Sequence, residues 1–127
     1  MTTLQHSVGI ELAGLRIVHF ARKGDQLPHQ YVMQITPTHQ FQSFCIINLY
    51  AGELEFAGPD CKFLCSFTIN LPMILQHHLP IKLIFDIDVD SNLTVRATTQ
   101  DIDSKDVELI VENNTLNIND AFNNDNQ

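Results

Sequence analysis

Basic residues are scarce in this chain of 127: seven Lys and Arg stand against fifteen Asp and Glu, a formal net charge of -8. A balance of that sign repels the phosphate backbone of a nucleic acid unless basic residues cluster, and no cluster is visible along the sequence, so no nucleic acid partner is expected. Cysteine is scarce too. Cys45, Cys61 and Cys65 are odd in number and too sparse for the disulfide framework of a small secreted domain, which points to a reducing, cytoplasmic setting. Long apolar runs are lacking: none approaches the roughly eighteen residues of a spanning helix. The opening MTTLQHSVGIEL has neither the basic nor the apolar region of a signal peptide, so no membrane partner is expected. Neither a nucleophile elbow nor a glycine-rich phosphate loop occurs, which leaves no catalytic residue to nominate and favours a non-enzyme.

What is present is apolar content, 44% of the chain, enough for the core of one ordinary domain. Apolar residues recur mainly with period two, and β-branched and aromatic types dominate them, which predicts strands near 7–12, 16–21, 30–36, 43–50, 64–69, 80–89, 93–99 and 106–112. Ala13-Gly14, Gly24-Asp25, Ala51-Gly52 and Gly58-Pro59-Asp60 supply the backbone angles that turns between them need. The expected fold is all-β, a two-sheet antiparallel β-sandwich of about eight strands over 1–113. Residues 114–127 read as a polar tail whose apolar content, Leu116, Ile118, Ala121 and Phe122, is too small to order it alone, with Asn119-Asp120 placed to cap a short helix.

Three aspartates alternate in FDIDVDSNLTV, residues 85–95. Asp86, Asp88 and Asp90 match the first acidic positions of a calcium loop, but Ser91 and Ala97 stand where that loop needs glycine and glutamate. The stretch reads instead as a half-buried strand, with Phe85, Ile87 and Val89 inward and the carboxylates outward, then a turn at Asp90-Ser91-Asn92 and a return along Leu93, Val95 and Ala97. Metal-assisted hydrolysis by the acidic row is the enzyme-class alternative. His77-His78 and Cys61-x-x-x-Cys65 do not by themselves make a metal site. The sequons at Asn92 and Asn113 read as chance.

The same hairpin, FDIDVDSNLTVRA, resembles the FDIDxxGxLxVxA segment of the heat shock 70 kDa chaperone family, in its peptide-binding β-domain. SVGIELAG resembles that family's SLGIETxGG, KGDQLP its KNTTIP, and INLYAGE its IxVxxGE. The order is the same, and the correspondence runs from Ser7 to about Asn113 with one small insertion and one small deletion. The resemblance implies a sandwich whose loops at one end form a groove for extended apolar segments of unfolded proteins, followed by a helical lid that would start in the tail. It implies a pocket lined by Ile10, Leu12, Ile35, Cys45, Ile47 and Ile81, with Ala13 and Thr38 arching over the bound backbone and Thr36 and Ile46 as further peptide-binding residues. Lys23, Pro28 and Asp90 match positions that couple this domain to the family's nucleotide-binding domain. No metal or cofactor is implied in this domain, since ATP belongs to that other domain; co-chaperones are further partners.

Departures from the family pattern carry expectations of their own. Cys45 is smaller and softer than the usual β-branched residue, which implies a wider pocket, and Ala13 and Thr38 are both small, which implies a weaker clasp and faster exchange. His39 or Phe41 could compensate by reaching over the groove. The alternative is an interaction or scaffold sandwich that has lost peptide binding, with the pocket residues plain core. An uncovered groove could also capture Leu116 and Ile118 of the tail, from the same or a neighbouring molecule, the latter giving self-association.

Overall fold

Every second residue of Ile81–Ile87 is buried, and the same alternation carries Leu93, Val95, Ala97 and Thr99 inward along Asn92–Gln100. Strands of this kind form because each inward aliphatic side chain contributes roughly 1.5–3 kcal/mol on burial while its neighbours stay hydrated. The computed structural model describes residues 2–12, 15–36, 43–55, 57, 61–71, 80–100 and 103–123.

Within these residues the chain forms β1 (Val8–Leu12), β2 (Arg16–Ala21), β3 (His29–Ile35), β4 (Phe44–Ala51), β5 (Lys62–Asn70), β6 (Ile81–Ile87), β7 (Asn92–Gln100), β8 (Asp106–Leu109), β9 (Val111–Glu112), β10 (Thr115–Asn117) and α1 (Ile118–Phe122). All pairings are antiparallel. One sheet runs β2-β1-β4-β5-β9, the other β10-β7-β6-β3 with β8 also on β7. This is the expected all-β sandwich, and seven of the eight expected strands are present within a few residues.

The core lies between the sheets around Phe67 and Phe85, both fully buried; Phe20 stacks on Phe85 at 3.8 Å and Phe67 meets it edge-on at 6.4 Å. The strand expected over 106–112 is divided. β8 pairs with β7 and β9 with β5, so the chain changes sheets at Ile110, which is left exposed while its carbonyl accepts from the Asn70 N–H.

Val89 differs from its expected inward place. It is exposed, because the strand ends at Ile87 and the turn has begun: Asp88 accepts the N–H groups of Asp90 and Asn92, and Ser91 closes the loop at φ 66°.

The tail is ordered by docking. Leu116 pairs with Leu93, Ile118 is fully buried, and Phe122 stacks on His6 at 3.6 Å. The helix cap is Asn117 and not Asn119-Asp120: its side chain accepts from the Asp120 N–H while its amide donates to Asp90 O and Asn92 Oδ1. From Thr115 to Phe122 the polar tail is thus part of the sandwich, and Ile118, expected to be free for capture by a neighbour, is committed to its own core.

Candidate functional site

Strand β1 is held on both sides only along its first half. Against β2 the register runs from Val8↔Ala21 to Leu12↔Arg16, but against β4 it stops at Ile10↔Leu49. Meanwhile β4 continues against β5 through Cys45↔Ile69 to Phe44↔Asn70. Beyond Ile10 and Leu49 the two strands therefore part.

The alternation of backbone bonds fixes which groups face the gap. Leu15 O and Ile17 N are bonded away from β1, so Arg16 and Val18 bond toward it, and the N–H and C=O of Gly9 and Glu11 point toward β4. Gly9 meets Tyr50 there, and the last pairing, Ile10↔Leu49, is closed by the Glu11 N–H on the Asn48 carbonyl, which leaves the Glu11 C=O without a strand partner among the described residues. On β4, by the same period, Ile46 and Asn48 turn their backbone groups to this gap while Cys45, Ile47 and Leu49 bond to β5. Beyond the bond from Glu11 to Asn48 two open backbone edges face one another, the Glu11 C=O on one and the Asn48 N–H and Ile46 on the other. On the outer surface the gap is bridged by a polar row, in which the Ser66 hydroxyl donates to Asn48 Oδ1 and the Asn48 amide reaches Glu11 Oε1 at 3.5 Å, the outer limit of a hydrogen bond.

The side chains nominated for the pocket divide into two groups. Ile10, Ile47 and Ile81 are sealed in the core, at 0%, 5% and 2% exposure. Leu12 at 37%, and Cys45 and Ile35 at intermediate exposure, form the apolar margin toward the end of the sandwich. Burial pushes the Cys45 thiol above its usual pKa, which keeps it protonated and apolar in character. Ile46 points outward and is 56% exposed; Thr36 follows β3 and is exposed. Ala13, Thr38, His39 and Phe41 lie outside the described residues.

Lys23, Pro28 and Asp90 sit on the β2–β3 and β6–β7 connections, at the end of the sandwich opposite the gap. All three are exposed. Lys23 N–H donates to Ser7 Oγ at 2.8 Å, and Asp90 lies in the turn organised by Asp88. Pro28 forms one wall of a concavity of about 400 Å³ together with Gln30, Asp86, Asp88 and Asn92.

The acidic row does not converge on a common point. Asp86 accepts from Gln30 Nε2 at 2.8 Å and faces Arg96 at 3.5 Å, whereas Asp88 accepts two backbone N–H groups and the Asn92 amide. These bonds lower the Asp88 pKa, the Asn92 N–H contributing most. Among the described residues no group of three or more His, Cys, Asp or Glu is placed to hold a metal ion, and no helix is long and apolar enough to cross a membrane.

Sequence reasoning found the inward residues of this end but missed the parting of β1 from β4 and the Glu11–Asn48–Ser66 row. Both depend on which strands become neighbours, and no local pattern encodes that. Compared with protein-family models and with curated proteins, the chain matches none.

Proposed function

We propose that this chain is a non-catalytic peptide-holding domain, the β-sandwich of a divergent chaperone of the heat shock 70 kDa type, which takes an extended apolar segment of an unfolded protein into the gap between β1 and β4. The observation that carries this reading is the pair of backbone edges left open beyond the last β1–β4 bond, the Glu11 C=O on one side and the Asn48 N–H and Ile46 on the other, beside the apolar margin of Leu12, Ile35 and Cys45. An extended peptide inserted there gains main-chain hydrogen bonds whatever its sequence, and selectivity from one side chain entering beside Cys45. Burying a leucine side chain contributes roughly 1.5–3 kcal/mol, enough to choose among sequences and small enough for release. On this reading a nucleotide-binding domain carrying ATP acts from the opposite end, through Lys23, Pro28 and Asp90.

A second reading, an interaction or scaffold sandwich without peptide binding, is favoured by the complete burial of Ile10 and the near-complete burial of Ile47 and Ile81. Fluorescence anisotropy with a labelled leucine-rich heptapeptide separates the two. Saturable binding that is lost in Cys45→Phe, with the fold intact by circular dichroism, supports the peptide-holding domain. No binding at high micromolar peptide, or binding indifferent to Cys45→Phe, supports the scaffold.

A further inference from the structure

Strand β2 is the outer edge of its sheet, and a row of unpaired backbone groups at an edge is a template for another strand. The first half of this edge is already used. Ile17 N–H donates to Glu55 O and Ala57 N–H donates to Leu15 O, both at 2.7 Å, so the segment after β4 lies antiparallel to β2 there. Before it reaches that edge the segment lies on the outer face, where the Gly52 carbonyl accepts from His19 Nε2 at 2.7 Å. By the period of two, the next groups directed outward are the Ile17 C=O and the N–H and C=O of His19, and none has a backbone partner among the described residues.

Charge at this edge runs opposite to that of the whole chain. A concavity of about 220 Å³ along it is lined by Arg16, Ile17, Val18, His19, Arg22 and Glu55. Two of the seven Lys and Arg residues of a chain with net charge -8 therefore border one short groove, and neither side chain closes an ion pair among the described residues. Of the acidic neighbours, Glu55 lines the groove without an ion pair to either arginine, and Asp25 already accepts the Arg22 backbone N–H at 2.9 Å and the Tyr31 hydroxyl at 2.8 Å. A second copy of this chain is a poor occupant, since edge-to-edge pairing of two β2 strands brings arginine toward arginine.

We propose that the β2 edge is a second docking surface, distinct from the gap between β1 and β4, that takes a short, extended, acidic segment of a partner protein. The partner's backbone continues the line of Glu55–Ala57 onto Ile17 and His19, and its carboxylates reach Arg16 and Arg22. This inference does not rest on the peptide-holding reading of the other site.

The test is a two-dimensional ¹⁵N–¹H titration of the full chain with the probe acetyl-Asp-Val-Glu-Val-Asp-amide. The expected result is saturable movement of the His19 amide resonance, no such movement with the Lys-for-acid counterpart, and loss of binding when alternate peptide nitrogens are methylated. The double variant Arg16→Glu/Arg22→Glu should weaken binding by about fivefold or more. Where that variant fails to fold, raising the salt of the unmodified protein from about 50 to 200 mM gives the same information, because exposed charge contacts are screened over that range. The proposal is overturned by no saturable shift, by equal binding of the basic counterpart, by affinity indifferent to both salt and charge reversal, or by displacement of the probe with the leucine-rich heptapeptide.

Discussion

Replacing Gly9 by alanine tests whether β1 is held as tightly between its neighbours as the geometry requires. A Cβ at this position would lie 2.7 Å from Ile17 Cγ2, 2.8 Å from Val18 O and 3.0 Å from His19 Cα. Two of the three atoms belong to the backbone of the paired strand, so rotamer change alone cannot relieve the contact. Overpacking of this kind destabilises by about 1–3 kcal/mol, and backbone involvement places Gly9 at the upper end. Alanine restricts the unfolded chain and returns about 0.4–1 kcal/mol, leaving a net loss of about 2 kcal/mol. For a domain of this size that is a fall of roughly 6–10 °C in Tm. In urea the midpoint should drop by about 1 M with the slope unchanged. A second variant, Ile17→Ala, removes the side-chain contact and leaves the backbone contacts, so in a double-mutant cycle it should recover only part of the loss. A Gly9→Ala protein melting within about 2 °C of the parent would refute the argument, because the strands would then have room that the distances deny.

Three other perturbations read separate parts of the fold. Ser91 holds φ 66°, a region that favours glycine, and stands where the resembling hairpin has glycine; Ser91→Gly should stabilise by about 0.5–1 kcal/mol, and a lower Tm would contradict this. Ile118 is fully buried, so Ile118→Ala should lose about 2–4 kcal/mol in urea unfolding, whereas a loss below about 1 kcal/mol would detach the C-terminal helix from the core. Asp88 is lowered in pKa chiefly by the Asn92 N–H, and Asp25 chiefly by the Arg22 N–H. A carboxylate depressed in the folded state stabilises above its unfolded pKa and loses that contribution as pH falls through the folded value. Tm should therefore decline below about pH 4, less steeply in Asp88→Asn; an identical slope in the variant would remove Asp88 from the account.

Much of the sandwich was legible because burial on one face writes period two into the chain. Phe85 and Ile87, and Leu93, Val95 and Ala97, are inward as the alternation predicts. The same rule failed at Val89, where alternation persists in the sequence although Asp88 has already captured the N–H groups that close the turn. It also joined β8 to β9, since Leu109 and Val111 both point inward, and only their partners in different sheets reveal the break at Ile110. The tail was legible in its poverty of apolar residues but not in its outcome, because what orders it is the free edge of β7 and the pocket under Ile118. Nor could residue type separate the sealed Ile10, Ile47 and Ile81 from the half-open Leu12 and Cys45. All five are apolar; what distinguishes those on β1 and β4 is their place along the strand relative to the point where the two part, while Ile81 lies on β6 of the facing sheet.

That point also makes the peptide-holding reading measurable without a label. Over Val8–Ile10, β1 has a partner on each side; past the bond from Glu11 N–H to Asn48 O that closes this pairing it has one, and the Glu11 C=O, the Asn48 N–H and Ile46 lack a strand partner on the facing side among the described residues. A peptide strand inserted in the gap would complete both edges in the folded state and find nothing equivalent in the unfolded chain. Ligand at a hundred times its Kd then adds about 2.7 kcal/mol of stability. At the sensitivity used for Gly9→Ala, this is a rise of roughly 8–13 °C in Tm with the leucine-rich heptapeptide. Ile46→Pro would break the reading from the backbone side, since proline removes an N–H that faces the gap while the exposed Ile46 side chain is no part of the apolar margin. In a correctly folded Ile46→Pro protein the rise should shrink markedly; an undiminished rise would mean that the heptapeptide sits elsewhere, and that the parting of β1 from β4 is only a feature of the fold.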